Sequence, residues 1–162
     1  MRIAFIIFLV AAQMAFATDK ESPARPLVIP VLGQATTTKV GSGYVTRTPG
    51  GQSFSTTQLG GSTITRDSSG NTWRTSQIGS SYVTRGPGGQ TLTTTKLGSN
   101  YITRDSSSGT VLTTSPVGSS FQTRSNSGSA WSTSQLGNSY TTRETSPNKQ
   151  TKPAVIVIPQ TK

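Results

Sequence analysis

The sequence predicts an all-β fold: six repeats of about 19 residues with two strands each, forming either a β-solenoid or an antiparallel meander of β-hairpins. Two residue series and the composition around them lead there. Arg47, Arg66, Arg85, Arg104, Arg124 and Arg143 recur at steps of 19, 19, 19, 20 and 19 residues, each directly after a threonine (Thr46, Thr65, Thr84, Thr103, Thr123, Thr142). A second threonine series, Thr37, Thr56, Thr75, Thr94, Thr114 and Thr133, keeps the same period, three residues before an aliphatic–glycine pair such as Leu59-Gly60. The stretches carrying these series are dominated by Thr, Val, Ile, Tyr and Phe, which suit a pleated surface.

Taken from the N-terminus, residues 1–17 read as a secretion signal. Arg2 supplies the positive charge, Ile3 to Met14 an apolar run too short to span a bilayer, and Ala15-Phe16-Ala17 a small-x-small cleavage site before Thr18. The mature chain is therefore expected to be exported, to the extracellular space, the cell surface or a periplasm, with no integral membrane span. Residues 18–33 form an N-terminal flank, residues 34–144 the six repeats, and residues 145–162 a basic linker ending in an apolar strand. The flanks hold the most hydrophobic segments of the mature chain, Pro26–Leu32 and Pro153–Pro159. They are expected either to cap the array or to donate a strand to a neighbouring molecule, with Val155, Ile156, Val157 and Ile158 as the candidate assembly strand.

Inside a repeat, the first strand resembles Phe54–Leu59 and the second Ser62–Arg66. The two are joined by a glycine-first pair such as Gly60-Gly61, Gly79-Ser80 or Gly98-Ser99, the signature of a type II′ hairpin. A two-residue turn there sets the register: Leu59 faces Ser62, Gln58 faces Thr63 and Thr56 faces Thr65. The recurrent threonines then become partners in every repeat, a pairing worth roughly 0.2–1 kcal/mol. Lys39, Gln77, Lys96 and Gln135 face Tyr44, Tyr82, Tyr101 and Tyr140. Links between repeats (Asp67-Ser68-Ser69-Gly70, Pro87-Gly88-Gly89, Ser125-Asn126-Ser127-Gly128) are turn residues, and the extra residue of the 20-residue step falls in one of them.

By strand parity one face carries Phe54, Thr56, Gln58, Thr63 and Thr65, the other Ser55, Thr57, Leu59, Ile64 and Arg66. Neither is broadly hydrophobic, so a thin assembly of stacked units is expected rather than a thick sandwich. Like residues would stack at about 4.8 Å in a solenoid and about 10 Å in a meander. Repulsion between the closely stacked arginines of a solenoid slightly favours the meander.

Composition narrows the function. The chain has no Cys and no His, which removes disulfides and the commonest bases, nucleophiles and metal ligands. Mature acids are Asp19, Glu21, Asp67, Asp105 and Glu144, and Asp67 and Asp105 have turn-forming reasons to exist. A non-enzymatic protein without a cofactor is expected. The net charge of +10 points towards anionic glycans, nucleic acid or anionic surfaces as partners. The arginine series is then the candidate contact.

The Gln-aliphatic-Gly units after Ser/Thr-rich strands (Gln58-Leu59-Gly60, Gln77-Ile78-Gly79, Gln135-Leu136-Gly137) resemble the repeats of secreted bacterial curlin-type β-solenoid proteins, which form extracellular amyloid-like fibres. Repeat length and strand number agree. The second half departs: Tyr-x-Thr-Arg stands where the curlin repeat has Asn-x-Ala-x-Val-x-Gln, and Lys39, Lys96 and Pro116 replace the glutamine in three repeats. The resemblance implies a stacked β-repeat and self-assembly. Three readings follow: a structural or interaction protein of the cell surface or extracellular matrix, with itself as a partner; a polyanion-binding module using the arginine row; and an ice-binding protein using the two threonine ladders, whose spacing would be about 6.7 Å along a strand and 4.8 Å between strands.

Overall fold

The computed structural model describes residues 27–31, 34–146 and 154–158; the signal segment lies outside the described residues. Its strands are β1 (Leu27–Val31), β2 (Ala35–Val40), β3 (Gly43–Arg47), β4 (Ser53–Leu59), β5 (Ser62–Asp67), β6 (Thr72–Ile78), β7 (Ser81–Arg85), β8 (Thr91–Leu97), β9 (Asn100–Asp105), β10 (Val111–Val117), β11 (Ser120–Ser125), β12 (Ala130–Leu136), β13 (Ser139–Glu144) and β14 (Ala154–Ile158). Strands β2 to β13 are six consecutive hairpins in one antiparallel meander, and β13 returns to pair with β2, closing a twelve-stranded barrel. The solenoid is thereby excluded. The array has no first and last rung: Tyr140 is partnered by Thr37 and Thr142 by Ala35 across the seam.

The local register is the expected one. Leu59 faces Ser62, Gln58 faces Thr63 and Thr56 faces Thr65, and the four Lys/Gln–Tyr partnerships form as anticipated. At each hairpin tip the first turn residue, for example Gly60 at φ 52° or Gly98 at φ 60°, is left-handed, and among the described residues no non-glycine residue has positive φ. That combination is the type II′ pattern, whose twist matches the flanking strands.

Closure arises between the hairpins. Each second-strand threonine pairs with the residue two before the next hairpin's threonine: Thr46 with Phe54, Thr65 with Trp73, Thr84 with Leu92, Thr103 with Leu112, Thr123 with Trp131 and Thr142 with Ala35. Six offsets of two residues amount to a stagger of twelve over twelve strands, and strands so staggered tilt by about 35–40° to the barrel axis. Equivalent residues of neighbouring hairpins lie two strand widths across and two residues along, about 12 Å apart. Six such steps close a hexagon whose radius equals its side, which puts the wall about 12 Å from the axis.

The face bearing Phe54, Thr56 and Thr65 turns inward, and the Arg-bearing face turns outward. The lumen wall has three tiers. A lower tier takes one residue per hairpin from the first strands: Ala35, Phe54, Trp73, Leu92, Leu112 and Trp131, all buried. Phe54 and Trp73 meet edge to face at 6.0 Å. A middle tier is the twelve threonines. The upper tier is Tyr44, Thr63, Tyr82, Tyr101, Phe121 and Tyr140, buried or half-buried near the hairpin tips. The two apolar flanks pair with each other: β1 and β14 form an antiparallel ribbon of their own, with Ile29 opposite Ile156.

Candidate functional site

The two threonine ladders are the innermost feature of the wall. In each hairpin the partners share a hydroxyl–hydroxyl hydrogen bond, Thr37–Thr46, Thr56–Thr65, Thr75–Thr84, Thr94–Thr103, Thr114–Thr123 and Thr133–Thr142, at 2.8–2.9 Å. All twelve are 0–7% exposed. A ladder meeting ice has to stand on the outer surface, so their placement weighs against that role and assigns them to the barrel's interior bonding. A second hydroxyl set links neighbouring hairpins on the outer face: Ser62–Ser76 at 3.0 Å, Ser81–Thr95 at 2.9 Å, and Thr38–Ser139 at 3.1 Å across the seam.

The arginine row lies outside. Arg47, Arg66, Arg85, Arg104, Arg124 and Arg143 are exposed, one per hairpin, at one register position just below the threonine pairs. They form a ring around the wall with steps of about 12 Å. Arg74 stands directly across from Arg85 and locally doubles the charge. Among the described residues Arg47, Arg66, Arg85 and Arg104 make no ion pair. The tyrosines are on the lumen side, so rings and guanidiniums do not combine into one site. Lys96 is different: its Nζ lies 5.9 Å from the centre of the Tyr101 ring at the tip end.

The acids sit at the opposite end, in the links between hairpins. The Asp67 carboxylate accepts hydrogen bonds from the Ser69 and Asn71 backbone amides at 2.9 and 2.8 Å and from the Asn71 side chain at 2.7 Å. Asp105 is held by the Ser107 amide and hydroxyl at 2.8 and 2.6 Å and by Gln90 at 3.1 Å. Burial pushes both carboxyls up, but these hydrogen bonds outweigh it and hold both below the usual carboxylate range. Two repeats apart on the hexagon, the two turns are about 20 Å from each other, twice the separation that paired glycosidic carboxylates tolerate. Among the described residues no group of three or more acids could hold a metal ion.

Two features were present in the sequence but not singled out as sites. The lower tier (Ala35 to Trp131) keeps the 19-residue period, but its mixture of Ala, Phe, Trp and Leu hides it. The aliphatics before the tip glycines, Val40, Leu59, Ile78, Leu97, Val117 and Leu136, are 51–86% exposed on the outer face. An open depression on this face is lined by Ser55, Thr57, Leu59, Ile64 and Arg66, so each outer strip combines an apolar end with a cationic middle.

No known family matches. The chain matches no family model, and neither the curated proteins nor the solved structures contain a significant match to it. The functional reading therefore rests on the barrel's own surfaces.

Proposed function

We propose that this protein is an exported, non-enzymatic interaction module of the cell surface or extracellular matrix whose outer wall binds polyanions. The observation that carries this reading is the ring of six exposed arginines. Guanidiniums pair well with phosphate, sulfate and carboxylate, and a +10 chain attracts polyanions at long range. Closure bears on the self-assembly alternative: every barrel strand has two partners, so the barrel offers no free edge for fibre growth by strand addition.

A straight polymer lying against a hexagonal wall meets two or three arginines at once. Binding of single-stranded nucleic acid should then weaken with salt, with a logarithmic slope between about −1.4 and about −2.1, from roughly 0.7 per neutralised phosphate. Titration of the mature protein with a single-stranded homopolymer and with heparin across a salt series tests this. The Arg66→Gln/Arg85→Gln/Arg104→Gln variant should bind more weakly and with a flatter slope. A salt-independent affinity, or a variant that binds as the parent does, would refute the reading.

A further inference from the structure

The six exposed aliphatics form a crown at the hairpin-tip end. Each is the last residue of a first strand, directly before the left-handed tip glycine, and among the described residues these six are the large apolar side chains left exposed. We propose that this crown docks onto a bilayer surface rich in anionic headgroups.

Geometry favours a flat partner. Six residues at one register position of a closed, six-fold repeating ring share a plane perpendicular to the barrel axis. A planar surface engages all six together, whereas a convex globular partner reaches two or three. Charge favours an anionic one. Lys39 and Lys96 immediately precede two crown residues, Val40 and Leu97, and the described acids Asp67, Asp105 and Glu144 lie at the other end of the barrel. Arg66 pairs with Ser55, four residues back from Leu59, so the arginine ring lies about 13 Å along the strands from the crown. That is close to one Debye length at moderate salt, near enough to add attraction once the crown is seated.

The barrel would rest on the bilayer and not pass through it. Its strands are 5–7 residues long where a spanning strand needs about 9–11, and its outer wall carries Ser, Thr and Arg instead of an apolar band. Apolar insertion together with cationic attraction is the pair of signals that holds a peripheral protein on a membrane.

Flotation of the mature protein with vesicles tests the proposal. It should bind vesicles of equal parts phosphatidylcholine and phosphatidylglycerol, and bind pure phosphatidylcholine weakly. Leu59→Ser/Leu97→Ser/Leu136→Ser should lower vesicle partitioning by about tenfold or more, since each side chain loses its apolar transfer, while heparin binding stays unchanged. Outward-facing serine leaves the barrel interior untouched, and an unaltered melting curve would confirm folding. Equal vesicle binding by parent and variant, no binding by the parent, or a parent that pairs crown to crown in light scattering without touching vesicles would each overturn it. A parent protein that binds vesicles but not heparin would overturn the polyanion reading alone.

The buried threonines carry a second, independent conclusion. A wall about 12 Å from the axis leaves a wide bore, and a threonine side chain reaches only two bonds inward from its Cα. Twelve threonines cannot meet across such a bore, yet all are 0–7% exposed. We infer that the β1–β14 ribbon occupies the lumen. A two-stranded ribbon on the axis would stand about the sheet-packing distance of 10 Å from the wall on both faces. Consistent with this, Cα atoms of β14 come within 8 Å of those of β11. Hydrogen exchange on the full mature chain decides it. A lone two-stranded ribbon in water is marginal, so β1 and β14 amides exchanging as slowly as the wall strands would support the plug, and exchange on the scale of free peptide would overturn it.

Discussion

At the scale of single residues, the barrel replaces apolar contact with paired hydroxyls. A buried hydroxyl left without a partner costs about 1–3 kcal/mol, whereas removing both partners together costs far less. Thr94 and Thr103, 2.9 Å apart and fully buried, are the pair on which to test this. Thr94→Val or Thr103→Val alone should each destabilise by about 1–3 kcal/mol in chemical denaturation, and the double variant should be less destabilised than the two single effects added together. Strict additivity would mean that the hydroxyls are satisfied by something other than each other. Titration gives a second prediction. Asp67 and Asp105 have folded values below their unfolded ones, so their contribution is present above the ordinary carboxylate range and is lost as pH falls through the lowered folded values. On the alkaline side, burial first and then the neighbouring phenols Tyr140 and Tyr82 raise Tyr44 and Tyr101. That contribution is lost as pH rises through and beyond the ordinary phenol range. Melting temperature against pH should therefore be flat near neutrality and fall at both extremes, and Asp67→Asn/Asp105→Asn should shrink the acid-side fall.

At the scale of the hairpin, the two tip positions have different requirements. Gly60 stands at φ 52° and Gly61 does not have positive φ, although neither has an atom within 4 Å of an added Cβ. Gly60→Ala should cost about 1–2 kcal/mol for placing a side chain in the left-handed region. Gly61→Ala should stay within about 0.5 kcal/mol. Equal costs measured by urea unfolding would mean a different turn. This is the level at which the sequence is most legible: a glycine-first two-residue link and a threonine on each side of it settle the register of the pair, because each of those choices is local. The lumen-facing side was harder to read, because its middle tier is no oilier than the outer face. Thr56 and Thr65 are as polar in isolation as Ser55 and Thr57 on the wall. What distinguishes them is the hydroxyl partner at 2.9 Å, which only the folded hairpin provides. The exposure of Leu59 and its five equivalents was hidden for the opposite reason: an aliphatic residue in a strand reads as core until its side of the sheet is known.

At the scale of the whole molecule, the deciding quantity is the offset between hairpins, which belongs to no single repeat. Two residues per step, repeated six times, bring β13 back beside β2. A different offset would leave an open sheet or a coil from the same repeats, which is why sequence reasoning left solenoid and meander open. The seam offers a direct test of closure. Thr38 and Ser139 are Cα partners, with their hydroxyl oxygens 3.1 Å apart although they stand 101 positions apart in sequence. The chain has no cysteine of its own, so Thr38→Cys/Ser139→Cys introduces the one pair able to bond. In a closed barrel the pair should oxidise readily within monomers, and closing a loop of about 100 residues should stabilise by up to about 4.7 kcal/mol in the chain-entropy treatment. In an open meander the two ends would stand far apart, and oxidation would give disulfide-linked dimers and larger species instead. Non-reducing electrophoresis separates the two outcomes. An oxidised monomer that melts higher than its reduced form would mean that the six hairpins close on themselves in solution, with the arginine ring and the aliphatic crown each held as a continuous circle.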